Sequence, residues 1–114
     1  MDVLEGGTGA DVFIYTAVAD STDEAMRDVI NDFDAGTSTT AVDSIDISAI
    51  VTGTFDFLGA ESESFTDSGN TEARFNNATK ILEIDADGDA EVDMEIELKD
   101  VDIANLDDSD FTVS

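Results

Sequence analysis

The feature that most limits how this chain can fold is its charge: 29 Asp and Glu stand against 4 Lys and Arg, a formal net charge of −25 over 114 residues. A compact chain with that balance repels itself. It must either stay unfolded or have its carboxylates neutralised where they gather. Composition argues against the first course, because 41% of the residues are hydrophobic, seven of them Phe, which is not the make-up of a disordered acidic tail. The second course needs cations, and the chain has few of its own. Bound metal ions are the expected counter-charge, with a salt-tolerant, highly soluble surface as the plainer alternative.

Missing residue types narrow the metal. The chain has no His, Cys, Trp or Pro. That removes zinc sites built on imidazole or thiolate, Ser-His and Cys-His nucleophile pairs, haem ligation by His or Cys, and disulfides. A hard cation held by oxygens, of which calcium is the leading case, fits what remains. Nucleic acid and anionic membrane surfaces are excluded as partners, since both need Lys/Arg patches. No 18-residue apolar run inserts in a membrane, and Met1-Asp2-Val3-Leu4 does not open a signal peptide. The length is that of one domain.

The apolar pattern has the period of strands. Val92, Met94, Ile96 and Leu98 alternate with Asp93, Glu95, Glu97 and Lys99, a half-buried strand. Lys80 to Ile84 is a second run, and the two flank an acidic turn, so they read as a hairpin. Val12 to Tyr15, Ser44 to Ile50, Thr54 to Leu58 and Glu72 to Phe75 are further short strands, split by Gly and Ser/Thr/Asp clusters. Ser21 to Phe33 is ambiguous: its start resembles a helix cap, and Val29 to Phe33 resembles a strand. The expectation is an all-β chain with at most one short helix.

Gly6-Gly7-Thr8-Gly9-Ala10-Asp11-Val12-Phe13-Ile14 matches the nonapeptide G-G-x-G-x-D-x-U-x of calcium-binding parallel rolls at every specified position. The glycines reach positive φ and offer carbonyls to a cation, Asp11 supplies charge, and Phe13 is the large apolar residue that points inward. Asp2-Val3-Leu4-Glu5 fits the end of a preceding nonapeptide, so the chain reads as the end of something longer. In a roll, turns on one side recur about every 18 residues. From Asp2 that spacing reaches Asp20, and from Asp11 it lands beside Asp28. Asp11, with the Gly7 and Gly9 carbonyls, is therefore expected to share a calcium with the Asp28 region, and Asp20 to share an opposite-side site with Asp2.

Asp85-Ala86-Asp87-Gly88-Asp89-Ala90-Glu91-Val92-Asp93 invites an EF-hand reading that fails. From Asp85, loop position 6 is Ala90 and position 12 is Ile96, and a strand follows where a helix belongs. A hairpin turn in which Asp85, Asp87 and Asp89 converge around Gly88 remains a candidate calcium site; a solvated acidic turn is the alternative. Asp32 and Asp46 read equally as ligands and as exposed strand residues.

With these residues in hand, the chain resembles the C-terminal calcium-binding domain of serralysin-type secreted proteases and related RTX exoproteins. The likeness runs from Gly6–Tyr15 through Ala19-Asp20-Ser21-Thr22, Asp28–Asp34, Gly36, Asp43–Ile50, Ala73-Arg74-Phe75 and Ile84–Asp93 to Asp107–Val113. Thr37 to Ala41 looks like a small insertion. The resemblance implies one domain, with the end of a parallel β-roll over residues 1–36 and an antiparallel, sandwich-like region over 37–114. It implies a non-catalytic module behind the N-terminal domain of a larger bacterial protein, secreted and extracellular, folding on calcium and carrying a signal for the type I secretion machinery. Asp110-Phe111-Thr112-Val113-Ser114 resembles that signal, departing from it at Thr112 and Ser114; an edge strand is the other reading. The runner-up function is a binding module for polysaccharide or cell-surface adhesion. It would need Arg27, Arg74, Lys80 and Lys99 to converge, or calcium to bridge. Catalysis by paired carboxylates has no pattern beyond the abundance of acids.

Overall fold

We describe a computed structural model of the chain, in which residues 3–7, 9–17, 27–34, 36, 42–60, 64–99, 101–106 and 110–113 are placed. Among them the elements are β1 (Val3–Leu4), β2 (Val12–Ile14), β3 (Asp28–Ile30), β4 (Ser44–Asp46), β5 (Phe55–Ala60), β6 (Thr71–Asn76), β7 (Ile81–Asp85), β8 (Met94–Leu98), a 3₁₀ turn over Ile103–Asn105 and β9 (Phe111–Thr112). All-β is therefore what the structure shows. The strands expected from alternation are present, β2, β4 and β8 shorter than expected and β5 and β6 longer. The ambiguous stretch resolves as strand at β3; its helix-like start at residues 21–26, and the insertion at 37–41, lie outside the described residues.

The strands form two sheets, in the orders β1-β3-β8-β7-β6-β5 and β2-β4-β9. The expected hairpin is there: β7 and β8 run antiparallel with Leu82 opposite Ile96 and Ile84 opposite Met94, and β6 joins β7 in the same sense. All other pairings are parallel, β1 with β3, β2 with β4, β3 with β8, β4 with β9 and β5 with β6. Among the described residues antiparallel pairing is thus confined to β6-β7-β8. Pairing does not stop at residue 36, since β4 lies on β2 and β8 on β3.

Alternation decides the core. Leu82, Ile84, Met94, Ile96 and Leu98 are fully buried, while their neighbours Glu83, Glu95 and Glu97 turn to the other face. They share one core with Ile30 and Phe75 of the same sheet and with Phe13, Ile45 and Phe111 of the three-stranded sheet. Phe13, the inward residue of the nonapeptide, stands in that core with its ring 6.1 Å from Phe33. On the outer face two cross-strand ion pairs form a row: Arg74 holds Glu83 at 2.8 Å and Arg27 holds Glu95 at 2.9 Å, with Glu83 directly opposite Glu95.

Candidate metal centre

The turn between β7 and β8 gathers charge because the hairpin register brings its two ends together. Asp93 donates its amide to the Ile84 carbonyl at 2.8 Å, which sets Asp93 beside Asp85 at the mouth of the turn. One carboxylate oxygen from each of Asp85, Asp87, Asp89 and Asp93 lies within 4.8 Å of the others. Backbone amides hold three of these carboxylates, Asp89 accepting from Glu91 at 3.0 Å. Asp85 accepts from Gly88 at 2.9 Å, Asp89 at 3.3 Å and Ala90 at 2.8 Å. Asp93 accepts from Ala86 at 2.9 Å and Asp87 at 3.4 Å. Burial pushes the Asp85 carboxyl above its ordinary value, against the three amides that lower it, and the Asp89 charge adds to the rise. Asp87 and Asp89 are exposed, so a cation reaches the cluster from solvent. Gly88 makes the turn possible: its φ is +72° and a Cβ there would run into the Gly69 backbone.

A second acidic arrangement joins the nonapeptide turn to the turn between β3 and β4. Gly6 and Gly7 donate their amides to the two oxygens of Asp32, at 2.8 and 2.7 Å. Asp43, buried to 1% exposure, accepts from Asp11 and Asp34, both at 2.9 Å. Asn31 and Ser44 donate back to the Leu4 and Asp11 carbonyls. Two donors pull the Asp32 carboxyl below its ordinary value, Gly6 first and Gly7 next. Both carboxylates are thus committed to amides. Asp11 differs: its Oδ2 is buried without a hydrogen-bond partner, and a Cβ on Gly6 would come within 2.5 Å of it. A buried carboxylate oxygen without a donor is costly unless a cation meets it.

Several expected site residues are brought together. Asp85, Asp87 and Asp89 converge as anticipated in position, with Asp93 as a fourth member that sequence reasoning quoted but did not assign; its signal was the hairpin register. Gly7 and Gly9 adopt the positive φ expected of them, +82° and +86°. The amide of Asp11 donates to the Asp43 carboxylate. Strands β2, β3 and β4 begin at residues 12, 28 and 44, so both intervening connections exceed a nonapeptide turn, and the next turn on the same side arrives 32 residues after Asp11 instead of about 18. Asp28 begins β3 in the other sheet, opposite Ile96 and buried. Asp2 and Asp20 lie outside the described residues. Asp46 accepts from the hydroxyl and amide of Ser48, which hold its carboxyl low.

The cluster in the β7–β8 turn suits a hard cation: its four candidate ligands are carboxylate oxygens, and calcium takes 6–8 oxygens with loose geometry, about 2.3–2.6 Å away. The cationic side chains do not build an anion site of their own. Arg27 and Arg74 are in ion pairs, and Lys80 donates from Nζ to the Val101 carbonyl at 2.7 Å. Among the described residues no helix is long and apolar enough to cross a membrane.

Comparison with known proteins agrees with this chemistry. The sequence model of the family described as Peptidase M10 serralysin C terminal matches residues 1–113. No curated protein matches the chain with significance. With the match running almost end to end over an all-β domain that gathers its acids at turns, the chain belongs to the serralysin C-terminal family of M10 peptidases.

Proposed function

We propose that this chain is a non-catalytic calcium-binding module that folds on meeting extracellular calcium and supports type I secretion of a larger bacterial exoprotein. Family membership supports the broad role. The observation that carries the calcium part is the convergence of Asp85, Asp87, Asp89 and Asp93 on one turn. When bound there, calcium supplies the positive charge that the chain lacks.

The chain's own residues do the rest. Asp85 and Asp93 hold the turn closed through five backbone amides, so the cluster is organised before an ion arrives. Asp87 and Asp89 offer their carboxylates at the surface. Across the molecule Asp43 and Asp32 close one turn onto another and leave the Asp11 oxygen aimed inward. An unfolded chain has neither cluster, so calcium affinity belongs to the folded form and becomes folding free energy. Extracellular modules have dissociation constants of about 10⁻⁴–10⁻³ M. At ten times that concentration a site contributes about 1.4 kcal/mol, and a few sites together switch a marginal domain. In calcium-poor surroundings the same carboxylates repel, which favours the unfolded chain that export needs.

The test is a calcium titration of chelator-treated protein followed by circular dichroism, repeated with magnesium at matched ionic strength. A cooperative gain of β signal with calcium alone is expected, and Asp93→Asn and Asp11→Ala are each expected to raise its midpoint. A chelated protein that is fully folded and indifferent to calcium would sink the reading.

A further inference from the structure

The turn between β7 and β8 holds its four carboxylates unequally. Asp85 accepts three backbone amides, Asp93 two and Asp89 one. Among the described residues the Asp87 carboxylate accepts none, and Asp87 is exposed. Its side chain is free to rotate, and the backbone group next to it in the chain is the amide nitrogen of Gly88. Asp87-Gly88 is the one Asp-Gly step in the sequence, and no Asn precedes a Gly. Chemically that step stands apart. A five-membered ring closes when the amide nitrogen following an Asp attacks the side-chain carboxyl carbon, and a Cβ on the following residue crowds that approach. Gly88 has no Cβ. Its N–H points to Asp85 Oδ1 at 2.9 Å, a charged acceptor that polarises the bond whose proton must leave.

The geometry points to Asp87–Gly88 as a self-modification site: the backbone isomerises there to isoaspartate while the turn is empty, and a bound cation suppresses the reaction. The suppression rests on the calcium reading above; the reactivity of the step does not. First the Gly88 nitrogen bonds to Asp87 Cγ, and the amide proton leaves with the carboxyl hydroxyl as water, closing a succinimide. Water then adds to one of the two ring carbonyls. Breaking the new N–Cγ bond restores Asp87. Breaking the original peptide C–N bond leaves the chain running through Cβ and Cγ, with the old carbonyl carbon as a free carboxylate. Water is the sole co-reactant, and the net mass does not change. An ion that takes an oxygen of Asp87 pins that side chain among Asp85, Asp89 and Asp93, whose oxygens lie within 4.8 Å of its own, and so keeps Cγ from the Gly88 nitrogen. The product fits the turn badly. Its backbone is longer and its carboxylate shorter, where Gly88 already abuts the Gly69 backbone and takes the Gly69 amide at 3.0 Å. An empty turn therefore loses its calcium affinity as it ages, while a filled one keeps it.

The test ages the whole 114-residue chain in warm neutral buffer, in chelator and in saturating calcium. Isoaspartate is counted by enzymatic methylation of isoaspartyl carboxyls and placed by electron-transfer fragmentation of the tryptic peptide that follows Lys80 and ends at Lys99. Circular dichroism with calcium titration is run on fresh and aged samples. With calcium at a hundred times its dissociation constant about one turn in a hundred is empty, so isoaspartate at position 87 should build up about 100-fold more slowly than in chelator. Wild type aged in chelator should then need more calcium to regain its β signal. Asp87→Glu keeps a carboxylate but must close a six-membered ring, a much slower reaction. Whatever its starting midpoint, that midpoint should not move on ageing. Isoaspartate missing from position 87 in chelator, or centred on another Asp, overturns the proposal and leaves the proposed function standing. Equal build-up in chelator and calcium, with the dichroism response intact, overturns suppression by an ion at this turn. Equal build-up with no dichroism response overturns the suppression together with the calcium switch itself.

Discussion

At the scale of single residues, aspartate does two jobs here that composition does not separate. Asp32 and Asp43 are fasteners: Asp32 puts both oxygens on amides of the nonapeptide turn, and Asp43 puts one on the Asp11 amide and the other on Asp34 of its own turn. Asp87, Asp89 and the inner oxygen of Asp11 are charges waiting for a counter-ion. The two jobs part under acid. The amides of Gly6 and Gly7 hold Asp32 below the ordinary carboxylate value of 3.8, so its ionised form is favoured in the folded state. Its stabilising contribution is present in full above that ordinary value and is lost as pH falls through the lowered one. Asp46, held low by Ser48, follows the same sign. Urea midpoints in saturating calcium across pH 7 to about 3 should therefore show a gap between wild type and Asp32→Asn that is flat near neutrality and closes at the acid end. A gap that widens in acid would refute the fastener role.

At the scale of elements, the β7–β8 hairpin shows how turn chemistry creates a site. Alternation supplies two strands with one buried face, and their register leaves Asp85 and Asp93 at the mouth. The turn closes over the backbone of Gly69 and Asn70, with Gly69 donating to the Gly88 carbonyl at 3.0 Å. A side chain at position 88 meets both a positive φ and that backbone. Gly88→Ala should cost more than about 2 kcal/mol, since the left-handed conformation alone costs roughly 1–2 kcal/mol for a residue with a Cβ. Denaturant unfolding in saturating calcium reads this, and calcium affinity should weaken with it because the four carboxylates lose their common turn. A variant within a few tenths of a kcal/mol of wild type would mean the turn tolerates opening. On the outer face of the same strands, Glu83 and Glu95 sit directly opposite, an unfavourable arrangement of like charges. The flanking Arg74 and Arg27 relieve it, which assigns half of the chain's four cations to one row.

At the scale of the whole molecule, the remaining charge is unrelieved. The two sheets share a core that draws on both ends of the sequence, Phe13 with Ile45 and Phe111 on one side and Ile30 with Ile96 on the other. Compaction therefore brings all the acids close at once. Monovalent salt screens charges beyond about 10 Å at 0.1 M, so the calcium-free protein should gain stability steadily from low salt to a few tenths molar sodium chloride. The calcium-loaded protein should respond less, its clusters being already neutralised. The β signal of the calcium-free protein by circular dichroism and the urea midpoint of the loaded one measure this, and a calcium-free signal that ignores salt would show that self-repulsion is not what keeps the chain marginal.

How much of this was legible beforehand follows from the range of each interaction. The all-β class, the β7–β8 hairpin and the glycine turn at residues 6–9 were readable, because alternation and positive-φ demands are local and act within a few residues. The gathering of Asp85, Asp87 and Asp89 was readable for the same reason. Asp93 joined them only once the hairpin register was known. The partner of the Asp11 amide was not readable: it depends on how far the chain travels from β2 to β3 and again from β3 to β4, and the two lengths together put Asp43 beside it. The parallel pairing of β5 with β6 and the burial of Asp110 and Phe111 were equally out of reach. By itself the sequence determined which segments are strands and where charge is dense, since both are properties of neighbouring residues. Tertiary structure alone decided which turns stack, which acids meet and which end of the chain is hidden, because strand register is set by pairing between distant segments, and a shift of one residue reverses every side chain.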